Sequence, residues 1–161
     1  MVESASEFFV ASAGAAAALA GLIIVALSVS VDAIIRMPGM PARAATAIAL
    51  LVVATLISLA GLIPGQSQLV LGIEVLLPAI AALGFALAWL VRMVRGHGGF
   101  SVASAAVRGG LALVPAVLFL VGAALVLVDA PAAMPVLGAG MLLAIAVSVA
   151  TAWVVMVEIR R

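Results

Sequence analysis

Five stretches of about twenty or more mostly apolar residues, at positions 8–31, 44–63, 69–91, 109–128 and 134–157, restrict the fold of this chain more than any other feature. At 1.5 Å of rise per residue, each is long enough to cross a hydrocarbon core roughly 30 Å thick. The breaks between them carry turn chemistry. Residues 36–43 read RMPGMPAR, residues 63–68 read IPGQSQ, and residues 129–135 read DAPAAMP. Pro-Gly pairs favour turns that a continuing helix cannot make. The predicted fold is therefore all-α: a five-helix transmembrane bundle forming a single domain over residues 1–161. Composition agrees, because 68% of residues are hydrophobic, 8% are charged and the mean hydropathy is +1.51. A water-soluble domain cannot hide that much apolar surface.

The basic residues predict an orientation. The chain has seven arginines and no lysine. Arg36 and Arg43 lie between spans one and two, Arg92, Arg95 and Arg108 between three and four, and Arg160 and Arg161 after span five. All fall on one side, and basic flanks favour the cytoplasm, so the amino terminus is expected outside and the carboxyl terminus inside. Trp89 and Trp153 lie near the expected cytoplasmic ends of their spans, where an indole suits the interface. The leader contains Glu3 and Glu7 rather than basic residues, so span one reads as an uncleaved helix and not a secretory signal. Ser4 and Glu7 have capping-box spacing, which predicts a helix start at Ser4.

Small residues predict close packing. In SAGAAAALAG, residues 12–21, Gly14 stands four before Ala18 and Ala17 four before Gly21. That spacing lets helix backbones approach. Similar smooth positions occur at Ala81, Ala82 and Gly84 in span three and at Gly122, Ala123 and Ala124 in span four. Packing within one bundle and packing between subunits both satisfy the pattern. The surplus of small faces leads to the expectation of a homo-oligomer, or of association with another membrane protein.

Polar residues within spans are costly and mark candidate sites. Glu74 lies near the outer end of span three, and Pro78, four residues on, has no amide hydrogen for the Glu74 carbonyl. A carboxylate and a freed carbonyl from one residue can coordinate a cation or hold a proton. Alternatively, Glu74 bonds Gln66, Gln68 or a neighbouring helix and steadies the outer turn. On span one, Ser28, Asp32 and Arg36 are spaced four apart, predicting one polar helix face with an Asp32–Arg36 pair. The functional alternative is a polar vestibule at the inner mouth. Thr55 and Ser58 can face the same interior or bond their own helix. Arg108 is expected to snorkel or to bind lipid phosphate, and Pro115 to kink span four.

The remaining chemistry is sparse. There is no cysteine, and the lone histidine, His97, lies between glycines in a loop. No nucleophile motif, metal-ligand cluster or phosphate-cradling loop is present, so no enzymatic activity, cofactor or metal site is expected. The arginines are spent on topology, and no nucleic-acid binding is expected.

The opening FFVASAGAAAALAGLIIVALSVSVDAIIR, followed by a basic turn and IPGQSQLVLGIE, resembles a family of small actinobacterial multi-pass integral membrane proteins. Some of its members are labelled modulators of a membrane-bound ATP-dependent protease. The resemblance implies a bacterial cytoplasmic (inner) membrane location. Two functions follow as expectations. The first is a non-enzymatic oligomeric scaffold or accessory subunit that packs against other membrane helices. The second is a homo-oligomeric cation or proton pathway, with Glu74 near one mouth and Ser28 and Asp32 near the other.

Overall fold

The computed structural model describes residues 2–37, 39–95 and 102–159, which form six helices and, among the described residues, no strand. These are α1 (Val2–Ser28), α2 (Val31–Arg36), α3 (Met40–Ala60), α4 (Gln68–Arg95), α5 (Val102–Leu127) and α6 (Ala133–Ile159). All except the six-residue α2 are long and apolar enough to cross a membrane, giving five spans. The protein is a multi-pass membrane protein.

Several helices outrun the hydropathy pattern that predicts them. α4 continues to Arg95, beyond the predicted limit of 91, and α5 begins at Val102, ahead of the apolar stretch from 109 and where a helical run from Ser101 into span four is expected. Hydropathy marks only the part that needs lipid, whereas the hydrogen-bond ladder continues into the polar flank. α1 begins at Val2, so Ser4 lies inside the helix and does not start it.

Span one is also shorter than expected, because the helix stops at Ser28 and restarts at Val31. The Ser28 hydroxyl donates to the Val25 carbonyl at 2.7 Å, and the Ser30 amide tightens onto Leu27 at 3.1 Å. The Ser30 bond reaches back three residues rather than four, so the chain tightens where α1 ends. The Ser30 carbonyl then accepts from Ile34, which opens α2. Ile34 is buried and holds α2 against the start of α3.

Packing between helices defines the architecture. α3, α4, α5 and α6 form a closed ring in that order, and α1 lies outside it in the groove between α3 and α6. Half of the α3 span is buried, against 28% of the α4 span, so α3 is the central helix. Lipid tails are as apolar as leucine, so close packing has to supply the attraction between helices. The buried positions suit that requirement. Ala16, Ala54, Ala79, Ala116, Ala123 and Ala144 have no exposed surface. At Gly122 on α5, an added Cβ would lie 2.4 Å from Leu137 Cδ2 on α6, and at Gly72 on α4 one would lie 2.4 Å from Leu127 Cδ2 on α5. At Gly122 the clash is with the buried Leu137, whereas at Gly72 the exposed Leu127 would have to swing aside. Outside, Leu22, Val52, Leu56, Leu77, Ile80 and Leu142 belong to a broad exposed apolar surface. A surface of that kind needs lipid or protein to cover it.

The α5–α6 turn is set by its helix cap. Ala130 donates to the Leu125 carbonyl at 2.9 Å and Asp129 to Val126 at 3.1 Å, the bond pair of a Schellman cap. Asp129 occupies the left-handed position with φ 55°, and Pro131 follows. Aspartate is among the few side chains that adopt this conformation at modest cost.

Candidate functional site

Alternating helix directions sort the polar residues to two ends of the bundle. One end holds the start of α1, the α3–α4 turn and the α5–α6 turn, and it collects Glu3, Glu7, Glu74 and Asp129. The opposite end holds α2, the start of α3, the end of α4, the start of α5 and the end of α6. It carries Arg36, Arg43, Arg92, Arg95 and Arg108, with Asp32 and Glu158. His97, Arg160 and Arg161 lie outside the described residues, and the side chains of Trp89, Arg92, Arg95 and Arg108 are likewise outside the description. Trp153 is exposed near the end of α6.

At the acidic end two glutamines tie the turns to the helices. Gln66 Nε2 donates to Glu74 Oε2 from the α3–α4 turn. Gln68 Nε2 donates to Asp129 Oδ1, joining the start of α4 to the cap of α5. Glu74 is half-buried and engaged as the anchor of its own turn. Pro78 lies inside α4 and gives no amide to the Glu74 carbonyl, so backbone and side chain of Glu74 both carry acceptor capacity. This local pairing was one of the two readings open from sequence.

The expected Ser28, Asp32 and Arg36 face is not formed. The break at Val29 and Ser30 separates Ser28 from the other two, and Ser28 bonds its own preceding turn. Asp32 and Arg36 are both exposed on α2, and among the described residues they form no ion pair. The four-residue spacing is preserved, but in a six-residue helix ending at Arg36 both side chains are free to turn to solvent. Thr55 and Ser58 also follow the local option, donating to the Leu51 and Ala54 carbonyls, each at 2.8 Å. Ser58 in addition approaches Met141 Sδ at 3.5 Å, which links α3 to α6. Glu74 thus stands at one end of the bundle, and Ser28 and Asp32 stand at the other.

A pairing that sequence reasoning missed closes the basic end. Arg43 Nη1 donates to Glu158 Oε2 at 2.8 Å, with the arginine side chain 13% exposed. It fastens the start of α3 to the end of α6 across 115 residues of sequence. Arg43 was legible only as one of the arginines on a single side.

The small-residue tract of α1 divides between two faces. Phe9, Ala13, Ala16, Ala20, Ile23 and Leu27 are buried, at helical spacing, toward α3 and α6. Gly14, Ala17, Ala18 and Gly21 fall on the other face and are all exposed. A Cβ added at Gly14 or Gly21 would meet nothing within 4 Å. Packing within the bundle therefore does not use these four residues. The reason is geometric: about 100° of rotation per residue puts 13, 16 and 20 on one stripe and carries 14, 17, 18 and 21 away from it. On span three the same division leaves Ala82 buried and Ala81 and Gly84 exposed.

Comparison of the chain with protein-family models, curated proteins and solved structures finds no match.

Proposed function

We propose that the protein is a non-enzymatic membrane scaffold or accessory subunit, and that the outward face of α1 is where it meets another membrane helix. One observation carries the reading. α1 has two smooth faces, and its own bundle uses only the one through Ala13, Ala16 and Ala20. The second, through Gly14, Ala17, Ala18 and Gly21, combines four small exposed residues at spacings of three and four. Helices in lipid associate through such faces because backbones can approach and make many weak contacts. A second copy of the same chain is the simplest partner, forming an isologous dimer about a two-fold axis along the membrane normal. The proposed orientation has the arginine end in the cytoplasm of a bacterial inner membrane, in keeping with the positive-inside rule. A membrane protease of the kind suggested by the family resemblance is a further partner class under the same proposal.

The test is subunit counting in native-like membrane discs. Wild type is expected to be oligomeric, and Ala17→Leu with Gly21→Leu is expected to be monomeric. Open space at Gly21 means that the added side chain does not collide with its own bundle. Loss of assembly with unchanged helicity supports the reading, and unaltered assembly defeats it.

A further inference from the structure

At the basic end, α3, α5 and α6 part to leave a cleft of about 180 Å³. Small side chains create it: Ala112 on α5 and Ala150 and Thr151 on α6 leave space that larger residues would fill. Leu111 and Val154 stand on its walls and are themselves largely exposed, so the cleft opens to the lipid-facing surface. Arg43 completes it at the start of α3.

The polar groups in this cleft are not fully used. Arg43 has five N–H donors, and Nη1 alone has an acceptor among the described residues, Glu158. Nε and the Nη2 amino group remain without one, and neither is sealed from the outside. The Thr151 hydroxyl likewise has no partner among the described residues and is not sealed, whereas Thr46 spends its hydroxyl on the Ala42 carbonyl at 2.8 Å. The cleft therefore offers apolar walls, a charged planar donor and a free hydroxyl. Arg43 lies in the first turn of α3, and Thr151 lies about two turns in from the end of α6.

We infer that this cleft binds one anionic phospholipid, with the phosphate on the free donors of Arg43, an ester carbonyl accepting from Thr151 and an acyl chain along Leu111, Ala112 and Ala150. Charge favours an anion. The described backbone of this end carries five arginines, Arg36, Arg43, Arg92, Arg95 and Arg108, against two acids, Asp32 and Glu158. Guanidinium groups match phosphate oxygens with paired N–H donors, and basic pockets between membrane helices select acidic headgroups. Lipid is also what an opening on the apolar flank of a bundle meets. The site requires only that the bundle sit in a bilayer, and it does not depend on self-association through α1.

The test is native mass spectrometry of the intact chain released from detergent, titrated in separate arms with dioleoyl phosphatidylglycerol and dioleoyl phosphatidylcholine. The wild type should retain one phosphatidylglycerol in preference to phosphatidylcholine by about tenfold, because both lipids offer a phosphate to Arg43 but the choline ammonium of the second is repelled by the guanidinium. Arg43→Gln should remove the preference while both lipids still bind weakly. Ala150→Leu, which fills the cleft and leaves the ion pair intact, should abolish retention of the single lipid for both headgroups. Equal retention of the two lipids by wild type overturns the inference, as does undiminished retention by Ala150→Leu with helicity and thermal stability unchanged.

Discussion

Replacing Gly122 with alanine tests whether the bundle is held by close helix contact. The new methyl would sit 2.4 Å from Leu137 Cδ2 and 2.7 Å from Cγ, with the Leu137 backbone nitrogen at 3.5 Å. Leu137 is 1% exposed, so a shift of its side chain presses on other buried residues rather than out of the bundle. Overpacking of this kind costs about 1–3 kcal/mol, while the better helix propensity of alanine returns about 1 kcal/mol. The net loss expected at Gly122 is about 0–2 kcal/mol. Gly84 is the internal control, because it lies on the outer side of α4 with nothing within 4 Å of an added Cβ. There the same substitution should be neutral or stabilising, so the two variants should differ by about 1–3 kcal/mol. The assay is reversible unfolding in lipid bicelles under dilution that keeps the chain monomeric. Leu137→Ala alone should cost about 2–5 kcal/mol through the cavity that it leaves. Combined with Gly122→Ala it should cost less than the sum, since the added methyl occupies vacated space. A Gly122→Ala protein as stable as Gly84→Ala, or additivity in the double variant, would refute the packing argument.

Further outcomes follow from single residues. Glu158→Gln should lower the unfolding free energy by about 1 kcal/mol in the same assay, a modest loss because the pair with Arg43 is partly screened by solvent. Asp129→Asn should be tolerated, whereas Asp129→Val should cost about 1–2 kcal/mol because a β-branched residue resists the left-handed conformation of that cap. In proteoliposomes, wild type and Glu74→Gln should both show no proton or monovalent cation flux above empty vesicles, since Glu74 is engaged by Gln66 at one end of the bundle. Flux that Glu74→Gln abolishes would establish the pathway reading instead.

Some of this was open to sequence because lipid imposes a demand that hydropathy records directly. A helix must be apolar for about twenty residues to cross, so the five spans were visible one by one. The Gln66–Glu74 contact was also within reach, since eight residues and a turn bring the two together. What hydropathy does not record is which side of an apolar helix faces protein. In α1 nearly every residue from Ala13 to Gly21 is small and apolar, so the buried stripe and the exposed stripe look alike in composition. The glycine spacing marks Gly14 and Gly21, whereas Ala13, Ala16 and Ala20 beside them make the contacts within the bundle. Arg43 and Glu158 are partners only because α3 and α6 run in opposite directions side by side, and no local pattern joins residues so far apart. The helix break after Ser28 is a backbone event that the spacing of Ser28, Asp32 and Arg36 does not encode.

In the proposed assembly, the face of α1 through Gly14, Ala17, Ala18 and Gly21 contacts a second copy of the chain. Cysteines introduced singly at these positions, in a protein that has none of its own, report this most directly through disulfide crosslinking in the native membrane. Crosslinked dimers are expected at positions 14, 17, 18 and 21 and none at the outward residues Val52 and Leu142 of other helices. Equal crosslinking at all of these sites, or none at the four on α1, would contradict it.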